Sequence, residues 1–242
     1  MGHTAPDWSG GLRETTIFAL KDLGELAVRL GSPVSFDRRG NVVFLDDFEG
    51  GVNSWSWAFS GEGGSINATV YPTFKGSYAV NIVPEPVIGG QGEITKVLSY
   101  PVESKVGIEV AFVVPALMDY FFVGAYFFEP TIYYASMFRY YHGDGTLKIN
   151  DPEPDWVTVA TLGPVAEGYN KFQIVKMVVD LETKKYERLI FNNVEYDISA
   201  YLIATDDADG DKYLNLYIGC VNGKTGEIEL IVDNVILTQN EP

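Results

Sequence analysis

The chain has 242 residues, 33 acidic and 17 basic, giving a formal net charge of −16, with 46% hydrophobic and 14% aromatic residues. That charge opposes the counterion release on which nucleic-acid binding depends and disfavours anionic membrane surfaces, while the apolar content excludes a disordered chain. The single cysteine, Cys220, precludes an intrachain disulfide and, within the apolar run LNLYIGCV, reads as a buried, inert thiol.

No run of about 18 apolar residues is present, and the start, MGHTAPDWSGG, lacks the basic and hydrophobic regions of a secretion signal. Cytoplasmic synthesis without Sec-type export is the expectation. Residues 1 to 14, rich in Gly and polar side chains, read as an arm. Leu20, Leu23, Leu26, Ala27 and Leu30 then recur at helical spacing. With Asp22 and Glu25 as a capping box and Gly31 just past the end, they predict one short amphipathic helix over 22–30. The segment PVSFDRRGNVVFL gives two β runs around Arg38 to Asn41 and reads as a hairpin. Residues 1–41 are therefore expected to form an arm, a helix and a hairpin strand, and 42–242 one domain.

After Leu45 the signal is β throughout. A dozen or so short apolar or alternating runs, among them GSYAVNIV, KVGIEVAFVVP, YFFVGAYFF, TIYYASMFRYY, YNKFQIVKMVVD and GEIELIVDNVIL, are separated by Gly, Pro, Asn and Asp turns. Helices that could cross between parallel strands are missing, so the pattern predicts an all-β, antiparallel two-sheet sandwich of jelly-roll type.

Three segments carry a resemblance: DDFEGGVNSW at 46–55, KGSYAVNIV at 75–83 and VDNVILTQ at 232–239. Together they resemble concanavalin A-like jelly rolls, in particular galactose-binding-like carbohydrate-binding modules. Those often open on an "FE-G-W" segment, carry a "GxYAL" strand and close on an "(I/V)D(D/N)V" strand. The resemblance covers roughly 44–240 and speaks to fold more than to ligand. It implies a structural calcium between Asp46, Asp47 and Glu49 at the opening and Asp233 at the close, since calcium takes six to eight oxygens. The alternative is that Asp47 and Asp233 accept hydrogen bonds from turn amides. Phe48 and Trp55 are expected to enter the core, with Gly50-Gly51 making the turn.

A second acidic segment, Thr205 to Asp211, places Thr205, Asp207, Asp209 and Gly210 at the first, third, fifth and sixth positions of an EF-hand-type loop. Leu216 stands where the bidentate Glu is required, so Asp207, Asp209 and Asp211 read either as a solvated turn or as a weak ion site. Some relatives within the resemblance are glycoside hydrolases with an ExDxxE strand. Here Glu195 and Asp197 are followed by Ala200, and Glu153 and Asp155 by Thr158, so the proton donor that retaining hydrolysis needs is absent from both. His3 and His142 are too far apart in sequence to suggest a zinc set, and His142 reads as a turn residue. No catalytic residue is assigned, and no enzyme activity is expected.

The tract from Asp119 to His142 holds four aromatic doublets: Phe121-Phe122, Phe127-Phe128, Tyr133-Tyr134 and Tyr140-Tyr141. Alternation along a strand sends one ring of each doublet to either face. One set fills the core; the other must be covered or stay exposed. With Ala135 and Met137 beside Arg139, the second face suggests a protein interface, and Tyr rings equally suit sugar stacking. Absence of an export signal and of a catalytic set, together with the arm and the surplus aromatic surface, favours a structural or assembly protein, such as a virion component of capsid-decoration or fibre type acting through protein contacts. The alternative is a carbohydrate-binding module in which Trp55, Trp57, Trp156 or Tyr133, Tyr134, Tyr140 and Tyr141 meet a glycan.

Overall fold

The computed structural model describes residues 39–152, 155–168 and 171–242. The helix expected over 22–30, the first strand of the hairpin and His3 lie outside them. Among the described residues sixteen strands follow one another. They are β1 Asn41–Asp46, β2 Ser56–Phe59, β3 Ser65–Thr69, β4 Ala79–Val83, β5 Gln91–Ser99, β6 Lys105–Val113, β7 Met118–Glu129 and β8 Ile132–Tyr141. The second half comprises β9 Thr146–Asn150, β10 Trp156–Thr161, β11 Phe172–Asp180, β12 Lys185–Phe191, β13 Val194–Asp197, β14 Ala204–Asp207, β15 Tyr213–Asn222 and β16 Leu230–Gln239.

They form two eight-stranded antiparallel sheets. Sheet A runs β13-β12-β11-β6-β16-β4-β3, with β1 also paired to β16; sheet B runs β10-β9-β8-β7-β15-β5-β2, with β14 paired to β8. The two-sheet sandwich is the architecture expected from the sequence. Two strands were not foreseen. Ser56 to Phe59 adds β2 to an edge of sheet B, and Ala204 to Asp207 pairs with Ile132 to Ala135 as β14.

The core lies between the sheets because alternate residues of their central strands face inward. Val106, Ile108, Val110 and Phe112 of β6 and Val175, Met177 and Val179 of β11 meet Phe121, Val123, Ala125 and Phe127 of β7 and Leu214, Leu216, Ile218 and Cys220 of β15, all buried. Phe112 and Phe121 stack across the two sheets, with centroids 3.8 Å apart and planes 6° from parallel. Tyr186 of β12 spans the core to reach sheet B, where its hydroxyl donates to Asn150 Oδ1 and accepts from the Met137 amide at 3.1 Å. Cys220 is fully buried, and desolvation pushes its thiol well above the ordinary range, in keeping with an inert role.

The first and last strands close the sandwich together. Asp46 at the end of β1 lies opposite Val235, and β16 carries a bulge at Asn234. Beyond β16, Glu241 sits in a buried cluster on the outer side of sheet A. Its carboxylate meets Lys176 Nζ at 2.7 Å, the Arg188 guanidinium and the Thr238 hydroxyl at 2.6 Å. Two cations and a hydroxyl round one carboxylate supply the partners that a buried charge requires.

Replacing Phe121 with Ala removes one half of the inter-sheet stack and leaves a cavity between sheets that cannot collapse onto it. We expect a loss of about 3–5 kcal/mol of unfolding free energy, read as a lower denaturant midpoint at unchanged slope.

Candidate functional site

The inward positions of β7 and β8 fix what stands on the other face of sheet B. Reading across β8, β7 and β15, successive outward rows are Tyr133, Phe128 and Tyr213; Ala135, Tyr126 and Asn215; Met137, Gly124 and Tyr217; Arg139, Phe122 and Gly219; and Tyr141, Tyr120 and Val221. On one side β9 adds Lys148 opposite Arg139, and β10 adds Trp156 and Thr158. On the other, β5 adds Val97, Thr95, Glu93 and Gln91. The rows run for about 26 Å along the strands at 3.3 Å per residue.

The rings pack as a sheet-wide layer rather than as isolated side chains. Phe128 stacks on Tyr213 at 4.5 Å, Tyr126 meets Tyr217 at 4.6 Å and Tyr133 at 5.3 Å, and Tyr120 meets Tyr141 at 5.0 Å. Phe122 is almost fully buried in this layer, beneath its neighbours. Gly219 makes room for it, since a Cβ there would lie 2.6 Å from the Phe122 ring and 2.3 Å from the Gly92 carbonyl oxygen. Most of the other rings are partly exposed.

Polar groups are interleaved with the rings. Arg139 places its guanidinium carbon 3.6 Å from the Trp156 ring centroid and 4.4 Å from that of Tyr120, and its NH1 donates to the Tyr141 hydroxyl at 3.3 Å. Lys148 Nζ lies 4.6 Å from the Tyr141 centroid. Asn215 donates to the Tyr217 hydroxyl at 2.8 Å, and Gln91 to Glu93 at 2.9 Å. Burial raises the Glu93 carboxyl and the phenols of Tyr120, Tyr126 and Tyr217 above their ordinary ranges, so the phenols stay neutral at physiological pH. Arg139 Nε and Asn215 Oδ1 are buried without a hydrogen-bond partner among the described residues.

The site residues expected from the sequence divide between this face and elsewhere. Tyr133, Tyr141 and Trp156 stand on it. Tyr140 does not: it is fully buried, its hydroxyl accepting from the Val165 amide at 2.9 Å. Tyr134 occupies the inward row against the core, with Lys184 Nζ 4.0 Å from its ring centroid. Trp55 is core as well. Trp57 is exposed, yet it shares the inward row of Ile94 at the edge of the sheet. Sequence reasoning missed Tyr120, Tyr126, Phe128, Tyr213 and Tyr217 as a set, and with them Lys148, Glu93 and Asn215. Parity along β7 and β15 was the available signal; the register between those strands was not.

The opening acidic segment is folded round its own amides. Asp46 accepts from the Phe48 amide at 2.8 Å and from Trp55 Nε1 at 2.9 Å, drawing both rings into the core. Glu49 accepts from the Tyr78 amide at 2.9 Å and Asp47 from the Glu49 amide at 3.2 Å. Asp233 accepts from the amides of Phe74, Lys75 and Asn234 at 2.8, 3.3 and 2.7 Å. Among the described residues no three His, Cys, Asp or Glu side chains converge to hold a metal ion. The carboxylates face N–H donors, so as arranged they do not fit the six to eight oxygens of a calcium site. Asp207 of the second acidic segment lies in β14 opposite Ile132, where alternation separates it from its neighbours, while Asp209 and Asp211 are exposed. His142 does sit at the β8–β9 turn, but it is buried, with Nε2 2.8 Å from Glu167 Oε1.

No protein-family model and no curated protein sequence matches the chain. Solved structures do match. A carbohydrate esterase from the Shiga toxin-encoding bacteriophage phi24B superposes with a TM-score of 0.55 at 9% identity, covering 84% of this chain and 100% of its own. The cellulose induced protein Cip1 gives a TM-score of 0.54 at 12% identity, covering 81% and 96% of the two chains. An endo-β-1,4-glucuronan lyase from the fungus Trichoderma reesei gives 0.53 at 13%, covering 83% and 96%. At these identities the likeness is one of fold.

Burial pushes the Asp233 carboxyl up to about 6, with Asp47 adding to the rise against the pull of three amides. A raised folded-state value means that the charged form costs stability, fully above about 6 and progressively less as pH falls towards the ordinary carboxylate range. In chelator, the melting temperature of the wild type relative to Asp233→Asn should therefore fall as pH rises from 4 to 7. A difference flat across that window would contradict the assignment.

Proposed function

We propose that the protein is a non-catalytic carbohydrate-binding module whose binding surface is the outer face of sheet B. The observation that carries this reading is the composition of that face: a continuous layer of partly exposed aromatic rings interleaved with Arg139, Lys148, Asn215, Gln91 and Glu93. Pyranose rings present apolar C–H faces ringed by hydroxyls, so a surface that binds them needs flat apolar area and hydrogen-bonding side chains at its margins. Both are supplied by strands that the core already holds rigid. The similar sandwiches of a carbohydrate esterase, a cellulose induced protein and a glucuronan lyase are in keeping with the proposal at the level of fold.

The paired carboxylates give no support to hydrolysis. Glu195 and Asp197 lie on β13 at the edge of sheet A, Glu195 paired to Arg39 at 2.7 Å and Asp197 accepting from Ser199. The sequence suggested a protein interface on this face from Ala135 and Met137 beside Arg139, and both residues do stand on it. The register adds charged and amide side chains from β5, β9 and β15, and charged groups are depleted at the centres of protein interfaces.

Binding to a panel of polysaccharides by affinity electrophoresis should detect at least one ligand. Tyr126→Ala and Trp156→Ala should each weaken it by about tenfold or more, in line with the 1–3 kcal/mol that a stacked aromatic contributes to base stacking. Their melting temperatures should stay close to wild type because neither ring is in the core. A strict oligomer that buries this face, or the absence of any glycan ligand, counts against the reading. Incubation with the bound glycan should release no new reducing ends or unsaturated products.

A further inference from the structure

Arg139 and Lys148 differ from Lys184 and Lys212 at the margins of sheet B, and from Lys96 of β5, whose Nζ donates to the Ser54 carbonyl at 2.7 Å. Lys184 pairs with Glu129 at 3.3 Å and Lys212 with Glu103 at 2.9 Å. Arg139 and Lys148 form no ion pair with any described carboxylate, although acidic residues outnumber basic ones by 33 to 17 in the chain. They are direct register partners on β8 and β9, so their side chains rise from the same face next to one another. Asp119 and Asp144 are the acids close enough to act on them electrostatically, and both are exposed at the end of the sheet. Glu93 shares the face but stands three strands away from Arg139, on β5.

Aromatic rings hold both cations in place. The Arg139 guanidinium lies over Trp156 and within reach of Tyr120, and Lys148 lies over Tyr141. Stacking occupies the flat face of a guanidinium and leaves its in-plane N–H groups for hydrogen bonds. One of those N–H groups goes to the Tyr141 hydroxyl, and Nε, buried, has no acceptor among the described residues. An arginine held in this way is preorganised for a planar, two-oxygen anion, which its fork matches with paired hydrogen bonds. The lysine beside it adds a point charge.

Resting on the carbohydrate-binding reading, we infer that this face takes an acidic polysaccharide, with the carboxylate of a hexuronate residue seated against Arg139 and Lys148 while neighbouring sugar rings lie on the tyrosines. Two cations do not make a track for a polyanion, and the net charge of −16 penalises densely charged chains such as nucleic acids. A carboxylate carried once per sugar on a chain that otherwise stacks matches the ratio of two cations to a long aromatic face.

The test compares polygalacturonate, polyglucuronate and alginate with the same polymers after carboxyl reduction, which leaves the sugar backbone and removes the charge. Wild-type protein should bind at least one acidic polymer about tenfold or more tightly than its reduced form, with affinity falling as salt rises. Arg139→Gln combined with Lys148→Gln should abolish that preference while keeping any affinity for the reduced polymer. Arg139→Lys, which keeps the charge and loses the fork, should fall between the two. Unchanged melting temperatures would show that the variants fold. Binding of neutral glycans with no preference for the acidic form overturns this inference and leaves the carbohydrate-binding reading standing. Failure to bind any member of either set, and of the neutral panel, overturns both.

Discussion

Phe112 of β6 lies flat on Phe121 of β7, and this contact between the sheets sets the phase of everything around it. Side chains alternate along a strand, so once Phe121 faces inward, Val123, Ala125 and Phe127 must follow it, and Tyr120, Phe122, Tyr126 and Phe128 must face out. Antiparallel pairing passes the same phase to β8 and β15, which is how rings from three strands come to share one outer surface. A slip of one residue would bury Tyr126 and Tyr120 and expose the core, so a single constraint maintains both the fold and the candidate site.

The two sheets treat their cations differently, and the contrast bears on function. On sheet A, Lys176 and Arg188 enclose the carboxylate of Glu241, an arrangement in which every charge is answered internally. On sheet B, Arg139 and Lys148 rest on aromatic rings and form no ion pair with a described carboxylate. The first pattern holds a chain end in place; the second keeps a charged surface ready at little cost in solvation, because the ring faces attract the cations while water still reaches them. Both patterns occur in a protein whose net charge is strongly negative, which gives a small positive patch on an aromatic face more discriminating value than its size suggests.

Much of the fold was legible in the residues. Strand after strand was marked by alternation and punctuated by turn residues, and landmark segments at the opening and close ended up side by side as β1 and β16. Trp55 and Phe48 read correctly as core because an acidic residue and paired glycines beside them specify a tight local turn. Two strands escaped notice for physical reasons. SWAF is short and lies at an edge, and the acidic run ATDD has low β propensity and owes its conformation to pairing with β8.

The sequence by itself determined that the chain is an antiparallel sandwich and that each aromatic doublet must divide between two faces, because both follow from local alternation with a period of two. It also carried the negative charge that disfavours nucleic acids. Only the tertiary structure decided which ring of each doublet faces out, which distant residues stand beside it, and that Arg139 and Lys148 have no carboxylate partner among the described residues. Those outcomes depend on the register between strands far apart in the chain, fixed by the packing of the two sheets against each other.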